Sequence, residues 1–283
     1  MYNKYHLDFL PKPKYPTYPS YHQGYYLEEH FINYFCNNGI ATLTQFIPVS
    51  WTTCYNDGHN LQILQNYLNS LHPNFEYFVV CQHDDAPRMH RLPPKTKVFC
   101  AGGNYTGPNK IPIPLICSKL PNKYIKQKEK DIFCSFVGSI THPIRSKILE
   151  TYKADCDFKI ETSNWSSTIQ EDQIVKFTDI TLRSKYTLCP RGYGTTSFRL
   201  YEAMQLDTVP VYVSDTHDLP WSDELDWKQF CVIITPDQIN DIKSILTNIT
   251  DEQYNSMKIK IKELYEDYFT LEGVCKNIIK RVQ

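Results

Sequence analysis

Between Tyr186 and Asp215 the chain reads YTLCPRGYGTTSFRLYEAMQLDTVPVYVSD. A short β-prone run, Tyr186 to Cys189, ends at Pro190, which cannot donate to a strand ladder. Gly192 and Gly194 follow, and they permit a close approach between backbone and ligand. Thr195, Thr196 and Ser197 are good helix N-caps ahead of an apolar-periodic segment, Phe198, Tyr201, Ala203, Met204 and Leu206. Asp207 and Thr208 close the helix, and Val209 to Val213 resumes as a strand. Strand, crossover helix and strand in this order demand a parallel sheet. A helix that begins in a glycine loop just after a strand also offers free N–H groups and a positive dipole end to an anion. Arg191 and Arg199 can bracket a phosphate there, and Glu202 lies three residues beyond Arg199 on the helix. An ordinary crossover with solvated arginines and turn-forming glycines fits the same string.

The remainder of the chain repeats the alternation. The spacing predicts helices over 27–38 and 61–71, strands over 41–47, 75–81, 96–100 and 111–116, and a loop holding Asn56, Asp57, Gly58 and His59. A lysine-rich polar segment, 118–130, reads as a domain linker. Beyond it come a strand over 131–137, a turn with Gly138, and a helix over 144–153 that carries Arg145. A strand over 158–161, a helix over 170–177, the central stretch, a strand over 230–235 and helices over 236–247, 250–268 and 271–282 complete the pattern. Short apolar strands between helices imply parallel sheets covered on both faces, with functional residues at the carboxyl ends of the strands. His83, Asp84, Asp85, Asp57 and His59 occupy such positions. Residues 1–26, with seven tyrosines and four prolines, read as an extended arm packed over a domain surface.

Composition narrows the function classes. The 283 residues include 30 Lys+Arg against 31 Asp+Glu, so no general basic field for nucleic acid exists and any anion site is local. The ten cysteines show no CxxC or Cys/His zinc spacing, and several fall inside strands as small hydrophobes. A reducing compartment suits them better than a disulfide framework. No run of eighteen apolar residues and no signal-peptide core is present, so neither a membrane span nor export is expected.

The string CPRGYGTTSFRLYEAM followed by VPVYVSD resembles the signature of exostosin-type glycosyltransferases, family 47, over about thirty contiguous residues. The resemblance implies an α/β, compact GT-B fold, two Rossmann-like domains facing each other across a cleft. Residues 1–120 would form the acceptor-side domain and 121–283 the nucleotide-sugar domain, with the last helix free to return to the first. It implies that the loop and helix start face a diphosphate and that Glu202 holds the ribose hydroxyls. The donor-binding set is then Gly138, Arg145, Arg191, Gly192, Tyr193, Gly194, Thr195, Thr196, Ser197, Arg199 and Glu202. FVVCQHDD likewise resembles a family pattern in which a strand leads into His-Asp, which favours Asp84 as general base, with Asp85, His83, Asp57 and His59 as alternatives.

The expected activity is inverting transfer of a sugar (xylose or another pentose, glucuronic acid or galactose) from a UDP-sugar to a hydroxyl of a glycan or glycoprotein. No metal or other cofactor is expected. A GDP-sugar donor of the fucosyl type and a catalytically inactive glycan-binding module are the alternatives. Animal and plant exostosin-like enzymes usually carry a membrane anchor. The chain looks more like the short soluble forms encoded by large DNA viruses, with a cytoplasmic location.

Overall fold

A computed structural model describes residues 27–57, 61–85, 87–116, 120, 122–166, 169–216 and 218–283; for Asp57 only the backbone is described. The tyrosine-rich arm, His59 and part of the expected linker lie outside the described residues. Two parallel sheets organise the chain. The first has the order β1(Gln45–Phe46)-β2(Tyr77–Cys81)-β3(Thr96–Cys100)-β4(Lys110–Pro112). The second, from β5(Ile132–Ser139), β6(Phe158–Ser163), β7(Ser184–Pro190), β8(Val209–Val213) and β9(Val232–Ile234), has the order β6-β5-β7-β8-β9. Every pairing is parallel. This is the two-sheet α/β arrangement of a compact GT-B fold.

The central strands β2, β7 and β8 are buried on both faces, whereas the edge strands β1, β4 and β6 are partly exposed. In β2, Phe78 and Val80 enter a core shared with the second sheet, whereas Tyr77, Val79 and Cys81 join Trp51, Leu64 and Leu68 on the other face. The helices α1(Leu27–Asn37), α2(Trp51–Asp57) and α3(Leu61–Ser70) belong to the first half, and α4(Pro143–Tyr152), α5(Glu171–Arg183) and α6(Phe198–Gln205) to the second. After α7(Ile242–Thr247) and α8(Asp251–Tyr268), α9(Leu271–Lys280) returns to the first sheet and packs on α1. There the carbonyl of Val282 accepts from Thr44 N at 3.4 Å, and that of Arg281 from Lys97 Nζ at 3.1 Å.

Several expectations need correction. Asn56 and Asp57 belong to the last turn of α2, not to a loop, because burial of Trp51 and Cys54 one turn apart draws the segment into a helix. The strand expected over 41–47 is only Gln45–Phe46, and that over 111–116 is Lys110–Pro112, where the prolines of IPIPLI stop the ladder. Helix α5 reaches Arg183, well beyond Phe177, since Phe177, Ile180 and Leu182 stay buried, and it enters β7 without a loop. Pro190 is the last residue of β7, opposite Val213.

Strand order places the crevice. From β5 the chain moves outward to β6, then crosses back to β7 on the other side, so the direction of winding reverses between β5 and β7. Their ladder stops at Ser135 opposite Thr187, although β5 runs on to Ser139 and β7 to Pro190. The two strands therefore diverge at their carboxyl ends.

Candidate active site

Arg145, on the first turn of α4, fills the gap between the diverging strands. Its Nη1 donates to Ser139 O at 2.8 Å, Nη2 to Pro190 O at 3.1 Å and Nε to Arg191 O at 3.0 Å. These carbonyls lie at the ends of β5 and β7, past the last pair of the ladder between them, and the guanidinium bridges the two strands where their own hydrogen bonds have stopped. The helix start that carries it is capped by His142, whose Nδ1 accepts from Ile144 N at 3.3 Å.

Above this plug lies a cavity of about 420 Å³. Its floor is made by Val137 to Ser139 at the end of β5, by Gly192 to Gly194 after β7, and by Thr196 and Ser197 at the start of α6. Ser197 is the N-cap of α6, accepting from Arg199 N at 3.3 Å. The starts of α4 and α6 thus border one space, each presenting a positive dipole end, through Thr141 and Arg145 on one side and Thr196 and Ser197 on the other. The hydroxyl of Thr196 faces that space, buried and without a hydrogen-bond partner among the described residues.

Arg199 and Glu202 line the same cavity. Arg199 Nε donates to Val137 O at 2.6 Å, its guanidinium stacks 4.1 Å from the Phe177 ring centroid, and its Nη1 pairs with Glu202 Oε2. Glu202 is only 2% exposed, so it is a buried anion paired with a cation at the cavity wall rather than a surface residue. Arg191 behaves differently from the other arginines. It turns away to Asp215, 2.6 Å from Nη1, and back onto the carbonyls of Gly192 and Tyr193, so it fixes the shape of the loop. Thr195 also points away from the cavity, against Gly103 of the first half: a Cβ on Gly103 would lie 1.7 Å from Thr195 Oγ1, and Gly103 has φ +101°.

The facing wall comes from the carboxyl ends of β2 and β3. Asp84, three residues past β2, reaches the cavity, and its carboxylate lies against Gly194 so closely that a Cβ there would meet Oδ1 at 2.0 Å. No described residue donates a hydrogen bond to that carboxylate. Burial, then the neighbouring charge of Asp85, raises its pKa to about 7, with Arg191 opposing. Asp85 has the opposite circumstances. It is buried and accepts from Tyr193 Oη at 3.0 and 3.2 Å, from Asn104 at 3.3 Å and from Tyr55 at 3.4 Å, and it pairs with Arg88 at 2.9 Å. Such a carboxylate is committed to holding structure. His83 packs against Tyr55 with centroids 4.0 Å apart and ring planes tilted by 34°, and its Nδ1 accepts from Asp85 N at 3.1 Å. Burial lowers its pKa.

Of the sequence-derived candidates, Asp84, Gly138, Arg145, Gly192, Tyr193, Gly194, Thr196, Ser197, Arg199 and Glu202 line one cavity. Asp85, Arg191 and Thr195 stand behind it as supports. Sequence reasoning missed Gly102 and Gly103, which receive Asp84 and Thr195; their signal was a glycine pair directly after the strand ending at Cys100. It missed Lys110, which joins Gly103 O at 2.6 Å to Asp218 at 2.8 Å across the cleft, and for that pairing the sequence carries no local signal.

A "Probable glycosyltransferase" of Arabidopsis thaliana is 30% identical over 141 residues, 48% of this chain and 26% of the relative. Exostosin-2 of Mus musculus is 28% identical over 99 residues, 35% of this chain and 14% of the relative. The chain thus aligns with about a quarter or less of the length of these two relatives. Among solved structures, Anabaena HepE in complex with UDP and glucose aligns over 90% of this chain and 74% of its own, with 12% identity and a TM-score of 0.43. WaaG, a glycosyltransferase involved in lipopolysaccharide biosynthesis, aligns over 89% and 80%, with 11% identity and a TM-score of 0.39. The Exostosin GT47 domain profile matches residues 67–249, about two thirds of the chain and both walls of the cavity, and the chain belongs to that family.

Proposed function

We propose that the cavity binds a nucleotide-sugar, with UDP as the favoured nucleotide, and that the protein transfers the sugar to a hydroxyl of a glycan with inversion. The observation that carries this reading is the convergence of two helix starts and the Thr196 hydroxyl on one space, opposite the carboxylate of Asp84, neither of these two groups having a hydrogen-bond partner among the described residues. The positive dipole ends of α4 and α6 and the Thr196 hydroxyl would receive the diphosphate, which gains negative charge as the glycosidic bond breaks. Arg199 would add its charge to the same end, and Glu202 would accept from the ribose hydroxyls. Asp84, pKa about 7, would take the proton of the acceptor hydroxyl as it attacks from the face opposite the leaving diphosphate. A base poised near neutrality is matched to that task. The proton moves from hydroxyl to carboxylate, the new C–O bond forms, and the nucleoside diphosphate leaves with the electron pair of the old one.

The reading assigns no metal to the reaction. Asp85 is committed to Tyr193, Arg88 and Asn104, while the acidic group of Asp155 and Asp157, remote from the cavity lining, holds the Lys243 ammonium at 2.7–2.8 Å. Among the described residues nine cysteines form no disulfide and seven of them are buried, which supports a reducing, cytoplasmic setting. The test is donor hydrolysis and transfer over a panel of UDP- and GDP-sugars, with and without EDTA. Binding of UDP but not GDP, with turnover unaffected by EDTA, is expected. Turnover that vanishes in EDTA and returns with Mn²⁺ refutes the metal-free step, and exclusive use of a GDP-sugar refutes the donor assignment.

A further inference from the structure

Three of the four tryptophans, Trp51, Trp221 and Trp227, are buried to within 3% exposure, whereas Trp165 is 61% exposed. An indole in water forfeits the burial that the chain secures for the other three, which calls for a reason at that position. Trp165 stands in the loop after β6 and lines the same cavity as Arg199 and Glu202. Strand order gives its place along the cavity. The phosphate-seeking helix starts lie at the ends of β5 and β7, and β6 is the strand outside β5, roughly 5 Å farther from the crevice. A nucleotide laid with its diphosphate over the crevice and its ribose at Glu202 carries its base toward β6.

We infer that Trp165 is the stacking platform for the nucleobase of the donor. This rests on the nucleotide-sugar reading above and adds the residue that grips the base. The indole face supplies a broad apolar, polarisable surface, and every base has a matching π-face, so the contact contributes affinity without choosing between uracil and guanine. Glu161 and Lys176, 2.7 Å apart, line the same cavity with polar ends, and the exposed indole adds a flat apolar face to that lining.

The experiment uses the intrinsic fluorescence of the full chain, in which Trp165 is the solvent-exposed emitter, together with calorimetry. The probes are UDP, GDP and base-free pyrophosphate, applied to the wild type, Trp165→Phe and Trp165→Ala. UDP should quench the wild type, and pyrophosphate should bind without that quench. Trp165→Ala should weaken UDP binding by about 5- to 100-fold, with Trp165→Phe in between and pyrophosphate affinity unchanged in all three. Wild-type affinity for both nucleotides in Trp165→Ala overturns the inference, and so does an equal loss for UDP and pyrophosphate, which would make the residue a support of the phosphate end. A wild type that binds neither nucleotide nor pyrophosphate overturns the nucleotide-sugar reading itself, and the inference with it.

Discussion

Replacing Asp84 by asparagine should make the protein more stable at neutral and alkaline pH. The carboxylate is pressed against Gly194, receives no hydrogen bond among the described residues, and has its pKa raised by burial, and next by Asp85, from 3.8 to about 7. A raised carboxyl pKa means that the folded state holds more protons than the unfolded state between those two values. Stability therefore falls as pH rises through that window and stays low above it. At 1.36 kcal/mol per pH unit the full cost of the charge is about 4 kcal/mol at pH 8 and just under about 2 kcal/mol at pH 5. Asparagine keeps the shape and carries no charge, so the variant should escape that cost. Urea unfolding followed at pH 5, 6, 7 and 8 reads the difference. With m at about 3 kcal/mol/M, the midpoint should lie about 1 M higher in the variant at pH 8, and the gap should shrink toward pH 5. A variant less stable than the wild type at pH 8, or a gap that does not change with pH, refutes the claim that this carboxylate is buried without compensation.

The same group should govern catalysis: kcat/KM should fall about tenfold per pH unit below about pH 7, and an acid limb centred near 4 would assign the proton transfer elsewhere. Glu202→Ala should weaken UDP binding by about one to two orders of magnitude, since charge-assisted hydrogen bonds contribute roughly 1.5–3 kcal/mol; unchanged affinity in a folded variant would confine Glu202 to its pairing with Arg199. Gly194→Ala should abolish turnover because the new methyl would meet Asp84 Oδ1 at 2.0 Å and Gly102 O at 2.4 Å. Adding Asp84→Gly should recover part of the lost stability and none of the turnover, and a single variant with wild-type activity would show that the loop and Asp84 do not touch.

Much of the second half was legible because its signals are local. Gly192, Gly194, the cap residues Thr196 and Ser197, and the pair Arg199 and Glu202 lie within eleven residues, and their roles follow from one strand–loop–helix transition. Asp84 could be found because it follows a run apolar enough to be a fully buried strand. The roles of Arg145, Arg191 and Asp85 were not legible. Each depends on what stands across the fold: the carbonyls at the ends of two strands whose mutual ladder stops at Thr187, the carboxylate of Asp215, and the hydroxyl of Tyr193. Sequence spacing records neither where a ladder ends nor which loop faces which. Trp165 was passed over because a lone tryptophan in a polar loop carries no periodicity, and its exposure becomes informative only beside a cavity.

The matched fit of the two walls bears on how enzymes of this build can be recombined. Gly103 leaves room for Thr195, Gly194 leaves room for Asp84, and Thr195 N meets Gly102 O at 3.1 Å; Tyr193 with Asp85 and Lys110 with Asp218 join the same halves. A chimera that takes residues up to the linker from one relative and the rest from another inherits each side of these pairs separately. A bulkier side chain at position 103 of the donated half would strike Thr195, and one at position 102 would displace Asp84 of its own half. Grafting a new first half onto this second half therefore requires carrying the glycine pair, Asp85 and Lys110 along with it, so the unit of exchange is the half together with its rim.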